Sequence, residues 1–228
     1  QILHCSPSHH FPTGIVTPAA RRRQLLSWAA ESPERYIIED DYDSEFRFDA
    51  HPKPAMQALD ASGRVIYMNT FSKSLAPSIR ISYMVLPTDL MAEFRRRLGF
   101  YSCTVPSFEQ YTLARFLSRG HFEKHINRMR KFYKARRNSV VSLLENCAFA
   151  DKLTILELDA GLHFLLQADT LLTDRELTGR LEERGIRIRA LSDYYHESRT
   201  DTHCLVVNYS GLKAEALERA LEELSDIM

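Results

Sequence analysis

The fold is decided by residues 65–85, which read VIYMNTFSKSLAPSIRISYMV. The apolar runs at its two ends predict two strands buried on both faces, and the hydroxyl-rich segment between them predicts a loop that holds Lys73. A lysine head group is strongly hydrated, so a lysine between two buried strands needs a reason to be there. A covalent role is one such reason, and an ordinary structural lysine on a loop is the alternative.

The connection between these two strands predicts their relative direction. Strands 65–69 and 80–86 are separated by only about ten residues, whereas a parallel connection needs roughly a dozen or more. Strand 80–86, which would open with Arg80, is therefore expected to run antiparallel to strand 65–69.

The residues before this stretch predict a parallel βαβ unit. Residues 2–6 and 36–39 form two short apolar runs, and an apolar stripe at helical spacing lies between them. Thr17 followed by Pro18 is typical of a helix start, with threonine as the N-cap and proline at the first helical position. Segment 40–62 is polar and is expected to be mostly loop with one short helical turn.

The residues after this stretch predict a second, smaller α+β domain. We divide the chain into 1–120, part of a mainly parallel α/β sheet with one antiparallel strand, and 121–228, a long linker helix followed by the small domain. The predicted helices are 88–98, 107–119, 121–146, 173–184 and 213–227, and the predicted strands are 153–158, 162–168, 186–190 and 203–208.

Composition excludes some classes of protein. The chain has 228 residues, with 30 basic and 30 acidic side chains, so no global basic field indicates nucleic-acid binding. Four widely spaced cysteines, without a signal peptide or a long uncharged apolar run, predict reduced thiols in a cytoplasmic protein. The chain begins at Gln1 and enters an apolar run at once, so we expect a fragment of a longer protein.

Two candidate residues come directly after strands that are predicted to be parallel. Asp40 follows strand 36–39 and Lys73 follows strand 65–69. Ligands of parallel sheets bind outside the carboxyl ends of the strands, so both side chains are expected to face one crevice, with Tyr42 beside them.

The residue types around this crevice suit pyridoxal phosphate (PLP). A lysine can form an imine with its aldehyde, a carboxylate can hold its pyridine nitrogen protonated, and a phenol can bond its ring hydroxyl. Hydroxyls and a guanidinium suit its phosphate. The candidate cofactor residues are Asp40, Tyr42, Thr70, Ser72, Lys73 and Arg80, with Lys73 as the catalytic residue and no metal ligands.

The same residues carry a family resemblance. The runs SPSHHFPTG (6–14), IIEDDYDSEF (37–46), VIYMNTFSKSLAP (65–77), RISYMVLP (80–87) and AGLHF (160–164) resemble the MocR subfamily of GntR transcription regulators. In that family a winged helix-turn-helix domain precedes an effector domain similar to fold-type I, class I/II aminotransferases. The resemblance covers essentially the whole chain.

The resemblance implies a role for each matched residue. Lys73 would be the Schiff-base lysine, Asp40 the partner of the pyridine nitrogen and Tyr42 the partner of the ring hydroxyl. Thr70, Ser72 and Arg80 would line the phosphate.

The resemblance also implies the function. The chain would be a domain that senses a small amino compound, would form a homodimer, and would reach DNA only through an N-terminal domain that is not in these residues. The alternatives are a class I aminotransferase that acts on an amino acid, and a non-catalytic fragment that only folds and dimerises.

The sequence departs from the family pattern in three ways. The first segment of the family's effector domain, which includes part of the phosphate cradle and an aromatic side chain that stacks on the cofactor ring, is not among these residues, so this truncated chain is expected to hold PLP poorly by itself. Phe11 stands where aminotransferases usually have an asparagine before Pro-Thr-Gly. The arginine expected to bind a substrate carboxylate has no clear match, since strand 203–208 offers only His203 and Asn208. The loop 191–195 offers Asp193, and Arg187 and Arg189 are the remaining candidates.

Other charged groups have simpler interpretations. The acidic run from Asp40 to Glu45 lacks the glycine of a calcium-binding loop, and His121 and His125 lack a third zinc ligand. His9 and His10 would lie near the crevice, either against a ligand or without a role. The arginines at 21–23, at 95–97 and along helix 121–146 are interpreted as solvated helix faces, with a DNA-binding helix as the minority alternative. These basic residues of the long helix are Arg128, Arg130, Lys131, Lys134, Arg136 and Arg137.

Overall fold

The computed structural model describes residues 1–48, 53–158, 161–196 and 200–227. The chain forms two compact units. Unit 1 consists of Gln1–His10, Val16–Glu45 and His51–Arg130, and unit 2 consists of Phe11–Ile15, Phe46–Ala50 and Lys131–Met228. The domain boundary near residue 120 stays a prediction. Part of the polar segment 40–62 and Ala160 of the AGLHF run lie outside the described residues.

Unit 1 contains a four-stranded sheet in the order β1-β2-β3-β4. Its strands are β1 (Ile2–Cys5), β2 (Tyr36–Asp40), β3 (Val65–Thr70) and β4 (Ser82–Val85). The first three strands are parallel, and β4 runs antiparallel to β3. The predicted antiparallel strand is therefore confirmed. The expected burial on both faces is wrong for β4, because all four of its residues are exposed.

Short and long helices connect these strands. They are α1 (Ala19–Ala30), α2 (Met56–Leu59), α3 (Phe71–Ser74), α4 (Thr88–Leu98) and α5 (Ser107–Ser118). The predicted helix 88–98 is confirmed, 107–119 ends one residue earlier, and α2 is the single turn expected in segment 40–62. Lys73 lies in α3 and not in an open loop, because the Thr70 hydroxyl caps this turn by accepting a hydrogen bond from the Ser72 amide.

The core of unit 1 forms where α1 and α2 pack on the sheet. Its fully buried members are Ala29, Ile37, Met56 and Val65, with Leu25, Leu26 and Trp28 packed against them. Ile37 pairs with Val65 across β2 and β3, so both side chains lie on the same face of the sheet. The apolar stripe of α1 predicted from the sequence therefore packs on this sheet.

Two expectations about α1 are wrong, and the first concerns Arg22. It is only 2% exposed, and its guanidinium donates to the carbonyls of Thr17, Pro54 and Pro7, so it does not belong to a solvated helix face. Thr17 is also not the N-cap: the helix begins at Ala19 with Pro18 as the N-cap, and no side chain caps it. The backbone of Thr17 bonds to other groups: its amide donates to the Pro7 carbonyl, and its carbonyl accepts from the Arg22 guanidinium.

Glu39 is another charged residue that is buried inside unit 1. It has no exposed surface, and its carboxylate accepts hydrogen bonds from the amides of Met56 and Gln57, both at 2.8 Å. Burial raises the pKa of Glu39, while these two backbone bonds oppose the rise. The side chain thereby joins β2 to the first turn of α2.

Unit 2 contains an antiparallel sheet in the order β5-β6-β8-β7. The long helix α6 (His121–Glu145) precedes it, and its residues from Lys131 onward belong to unit 2. The remaining elements are β5 (Leu153–Leu156), β6 (His163–Ala168), α7 (Asp174–Glu183), β7 (Arg189–Ala190), β8 (Cys204–Asn208) and α8 (Ala214–Ile227). The predicted elements are all present, but predicted strand 186–190 is reduced to two residues.

The basic side chains of α6 do not form a simple solvated face. Arg137 is 5% exposed and donates to the Leu158 carbonyl at 3.3 Å, and Arg136 donates to the Ser210 carbonyl at 2.7 Å. Within unit 1, Arg130 likewise donates to the Glu45 carbonyl. These arginines satisfy loop carbonyls, a task that helical periodicity does not reveal. By contrast, the α4 arginines Arg96 and Arg97 are exposed and pair with Glu93, as expected.

Asp174 organises the loops of unit 2. It is 3% exposed, and its carboxylate accepts hydrogen bonds from the Ser192 hydroxyl, the Thr202 amide and hydroxyl, and the His203 amide. Burial opposes ionisation of Asp174, but these bonds outweigh it and lower the pKa. The predicted capping box of Thr173 and Glu176 is confirmed beside it.

None of the helices in the described parts of the chain combines the length and the apolar character that a membrane span requires.

We predict that Arg22→Lys lowers the free energy of unfolding of unit 1 by about 2–4 kcal/mol, because an ammonium cannot reach three divergent carbonyls and leaves buried acceptors without donors. Arg23→Lys, one position along the same helix but exposed, should change it by less than about 0.5 kcal/mol. Urea denaturation followed by circular dichroism measures both. Equal effects of the two substitutions would contradict the assigned role.

We predict that Asp174→Asn destabilises unit 2 by about 2–4 kcal/mol at neutral pH, since an amide nitrogen would then face several donors. The folded-state pKa of Asp174 is lowered, so its stabilisation is fully present above the unfolded pKa of about 4 and is lost as the pH falls through the folded value. The difference between wild type and variant should therefore shrink in acid. Exposed Asp151→Asn is the control, and a pH-independent difference contradicts the prediction.

Candidate functional site

The parallel strands of unit 1 place the candidate residues at one edge of its sheet. Asp40 is the last residue of β2 and pairs with Met68, two residues before Thr70 ends β3. Because parallel strands end at the same edge, Asp40 and the Thr70–Lys73 segment lie at that edge together. The register therefore places these groups at one edge of the sheet, and the shared crevice stays a prediction.

Asp40 has a histidine neighbour that sequence reasoning missed. His4 lies on β1, where it pairs with Ile38, so its side chain is on the same face of the sheet as that of Asp40. His4 Nε2 is 3.6 Å from Asp40 Oδ2, and the two side chains are 61% and 35% exposed. The sequence could have indicated this pair, because side chains of a strand alternate between the two faces of the sheet, and His4 of β1 and Asp40 of β2 fall on the same face.

Tyr42 carries a buried hydroxyl group whose hydrogen bonding is not satisfied by the described residues. Its oxygen is shielded from solvent, yet no side chain or backbone group of the described chain bonds to it. Burial raises the pKa of the Tyr42 phenol above its ordinary value, and the negative charges of Asp43 and Asp40 raise it further. The phenol therefore stays protonated and can donate a hydrogen bond. An acceptor from a bound group would satisfy it.

Thr70 and Ser72 have different hydrogen-bonding capacities. The Thr70 hydroxyl accepts from the Ser72 amide at 3.1 Å and donates to the Ile81 carbonyl at 3.2 Å. Its single proton is thereby engaged in the turn, so in this arrangement Thr70 shapes the turn rather than donating to a ligand. Ser72 is half-buried, and the Lys73 side chain is exposed.

Arg80 lies outside the strand in which the sequence placed it. It follows the 3₁₀ turn Pro77–Ile79 and adopts the left-handed conformation with φ of 48°, and β4 begins only at Ser82. The next residue, Ile81, is fixed by bonds from the Phe71 amide and the Thr70 hydroxyl. A non-glycine residue in this conformation is strained by about 1 kcal/mol or more. The exposed guanidinium is thus held next to the Lys73 turn by a constrained backbone.

Acidic residues after β2 alternate with the candidate residues. Asp41 accepts a hydrogen bond from the Tyr67 hydroxyl at 2.9 Å, and Asp43 bonds to His9 Nδ1 at 2.9 Å. Burial raises the pKa of Glu45 to about 7, with further contributions from Asp41 and Asp43. Within the described residues, no group of three histidine, cysteine or acidic side chains could hold a metal ion.

The histidine pair of α6 belongs to the local structure. His125 Nε2 is 3.1 Å from the carbonyl oxygen of Ser74, the residue after Lys73. The imidazole therefore fixes the end of the lysine turn. Its neighbour His121 packs against Phe116 with ring centroids 5.8 Å apart.

A cavity of about 570 Å³ in unit 1 adjoins the lysine turn. Thr70, Ser74 and Glu45 contribute polar atoms to its lining, and the rest is mainly apolar. It shares Thr70 with the candidate site, but Asp40, Tyr42 and Lys73 do not line it.

The candidates for binding a substrate carboxylate all lie in unit 2. Arg189 is exposed and is 3.7 Å from Asp193. Asn208 accepts hydrogen bonds from the amide and hydroxyl of Ser210, and the His203 amide donates to Asp174. Phe11 packs edge-on against His163 and Tyr194, with centroids 5.2 and 5.3 Å apart. Arg189 and Phe11 therefore have side-chain partners within their own unit, whereas His203 Nδ1 is buried without a hydrogen-bond partner among the described residues.

Comparisons with known proteins agree with the motifs. A family model described as aminotransferase class I and II matches residues 1–224. The uncharacterized HTH-type transcriptional regulator YdeL of Bacillus subtilis is 39% identical over 224 residues, which cover 98% of this chain and 48% of that protein. The probable rhizopine catabolism regulatory protein MocR of Rhizobium meliloti is 35% identical over 224 residues, covering 98% and 45%. The chain spans about half the length of these curated relatives.

The fold is also similar to solved structures. The crystal structure of Pyrococcus horikoshii kynurenine aminotransferase superposes with a TM-score of 0.82 at 26% identity, covering all of this chain and 55% of that one. The predicted aminotransferase-like α/β fold, with one antiparallel strand and a smaller α+β part, is confirmed by this likeness and by the two observed sheets. The chain therefore belongs to the aminotransferase class I and II family.

Proposed function

We propose that this chain is the effector-sensing, PLP-binding domain of a GntR/MocR-type transcription regulator. The observation that carries the cofactor assignment is the buried Tyr42 hydroxyl without a partner in the described residues, close to Asp40 at the edge that bears Lys73. The regulator assignment is supported by relatives that are named as HTH-type regulators and that extend well beyond the matched region.

Each residue at the edge has a separate task in this proposal. PLP, when bound, supplies an aldehyde and an electron-withdrawing ring. Lys73 would hold it as an imine, Asp40 would stabilise the proton on its ring nitrogen, and Tyr42 would donate to its ring oxygen. Ser72 and Arg80 would bind the phosphate, and Thr70 would line it while holding the turn. The raised pKa of Tyr42 supports its role, because a donor must remain protonated.

The sensed compound would be a small amino compound, since an amine is the group that can compete with Lys73 for an aldehyde. DNA would be bound by an N-terminal domain outside these residues. A cytoplasmic location belongs to the same proposal, and it agrees with the four cysteines, none of which forms a disulfide in the described structure.

We predict that the intact protein, incubated with PLP and freed of excess cofactor, shows the visible band of a protonated lysine imine, and that Lys73→Ala removes this band because the variant has no amine at that position to form the imine. Lys124→Ala, which replaces an exposed lysine of α6, should retain it. Absorption spectroscopy after gel filtration measures both. The absence of a lysine-dependent band in the wild type would overturn the cofactor assignment.

The same preparation separates a regulator from an enzyme. Addition of amino compounds to the intact protein should change the absorption band and the affinity for operator DNA, without repeated turnover when a keto acid is supplied. Sustained conversion of an amino acid and a keto acid would instead support a class I aminotransferase.

We also propose that the intact protein is a homodimer. Phe108 and Tyr111 of α5 are 81% and 75% exposed, and Phe100 and Tyr101 just before α5 are also exposed. Large aromatic side chains exposed close together along the chain are typical of interaction surfaces. Phe108→Glu combined with Tyr111→Glu should raise the dissociation constant of the dimer at least about tenfold, because buried charge is unfavourable. Sedimentation of the intact protein measures it, with Leu171→Glu as the exposed control, and a monomeric wild type contradicts the proposal.

A further inference from the structure

Two loops at the candidate edge are joined by a buried pair of side chains. His9 follows β1 and Asp43 follows β2, and these strands are adjacent and parallel. His9 is 2% and Asp43 is 4% exposed. His9 Nδ1 is 2.9 Å from Asp43 Oδ2. Because an ionised carboxylate can only accept, the Nδ1 nitrogen of the imidazole is the donor, so Nδ1 carries a proton.

Loss of this buried pair would destabilise the loops more than loss of an exposed ion pair would. A carboxylate that is shielded from water needs a hydrogen-bond donor, and removal of the donor leaves an uncompensated buried charge. The loop after β2 would then rearrange to return Asp43 to water. The loop after β1 would lose one of its anchors at the same time, although Arg22 would still hold the Pro7 carbonyl.

The loop after β2 is the one that carries Tyr42. Tyr42 is adjacent in sequence to Asp43, and its ring centroid is 6.4 Å from that of His9. On the other side of Tyr42, Asp41 is fixed by the Tyr67 hydroxyl at 2.9 Å. Tyr42 is therefore flanked by two buried carboxylates, each held by a side chain from another strand or loop, while its own hydroxyl has no partner in the described residues.

We propose that His9 and Asp43 are positioning residues for the cofactor: their hydrogen bond holds the Tyr42 hydroxyl, and with it the end of β2 at Asp40, in the place where it meets PLP. This proposal rests on the proposed cofactor function. It assigns no contact between His9 and the cofactor, since the pair acts through the backbone of the Tyr42 loop.

The experiment compares His9→Ala, His9→Asn and Asp43→Ala in the intact protein. Asparagine places an amide donor near the position of Nδ1, so His9→Asn keeps the bond to Asp43, whereas alanine removes it. Exposed His121→Ala is the control for loss of a histidine elsewhere. Three quantities are measured: the melting temperature, the dissociation constant of PLP, and the pH midpoint at which the visible band of the lysine-bound cofactor changes.

We expect His9→Ala to weaken PLP retention about tenfold or more, the range produced when a supporting partner of a site is lost. We expect its pH midpoint to rise, because a ring oxygen that loses a hydrogen-bond donor holds a proton more tightly. His9→Asn should restore both quantities toward wild type, and His121→Ala should change neither. If His9→Ala does not fold, Asp43→Ala, which removes the acceptor of the same hydrogen bond without leaving a buried charge, decides by the same two quantities.

The outcomes separate this inference from the proposed function. If His9→Ala keeps the lysine-dependent band, with the dissociation constant of PLP and the pH midpoint unchanged, the positioning role is overturned and the cofactor assignment stands. A lower melting temperature with an unchanged midpoint also overturns it, because a purely structural pair would behave in that way. A wild type without the band overturns both.

Discussion

The parallel pairing of β1, β2 and β3 is the constraint on which the rest of unit 1 depends. Parallel strands end at one edge, so the loops that follow them are neighbours even though they are far apart in sequence. Asp40 is the last residue of its strand, and the Lys73 turn and the His9–Asp43 pair lie just past the ends of these strands. The order of the strands thus brings these residues together at one edge, although they are spread over more than sixty positions of the sequence.

Charged side chains hold this arrangement in place from within. Arg22 satisfies three carbonyls, Glu39 satisfies two amides, and Asp43 is satisfied by His9. Each is a buried polar group whose partners come from a different segment, so each bond fixes one segment against another. In unit 2, the buried carboxylate of Asp174 likewise accepts hydrogen bonds from the amides of a distant segment, Thr202 and His203. A network of this kind contributes order more than net stability, because desolvation offsets much of its favourable energy.

The sequence was sufficient to predict the features that depend on local residue patterns, which are the strands, the helices and the direction of β4. Periodicity located most strands and most helices within about two residues, and the short connection before β4 predicted its direction. It could not reveal which charges are buried: Arg22 and Arg137 lie in runs of basic residues that look solvated, and their carbonyl acceptors come from distant loops. The His9–Asp43 pair was missed for the same reason. Arg80 was placed in a strand because residue type does not encode a left-handed backbone.

The exposure of β4 bears on how this polypeptide behaves when it is handled alone. It is the last strand of its sheet, and Tyr83, Met84 and Val85 are between 42% and 49% exposed. Its sequence, Ser-Tyr-Met-Val, has no lysine or proline to discourage pairing with another chain. The outer backbone groups of β4 therefore offer a template for edge-to-edge aggregation. A charged side chain at Met84 is the simplest change that would keep the isolated polypeptide in solution without altering its core.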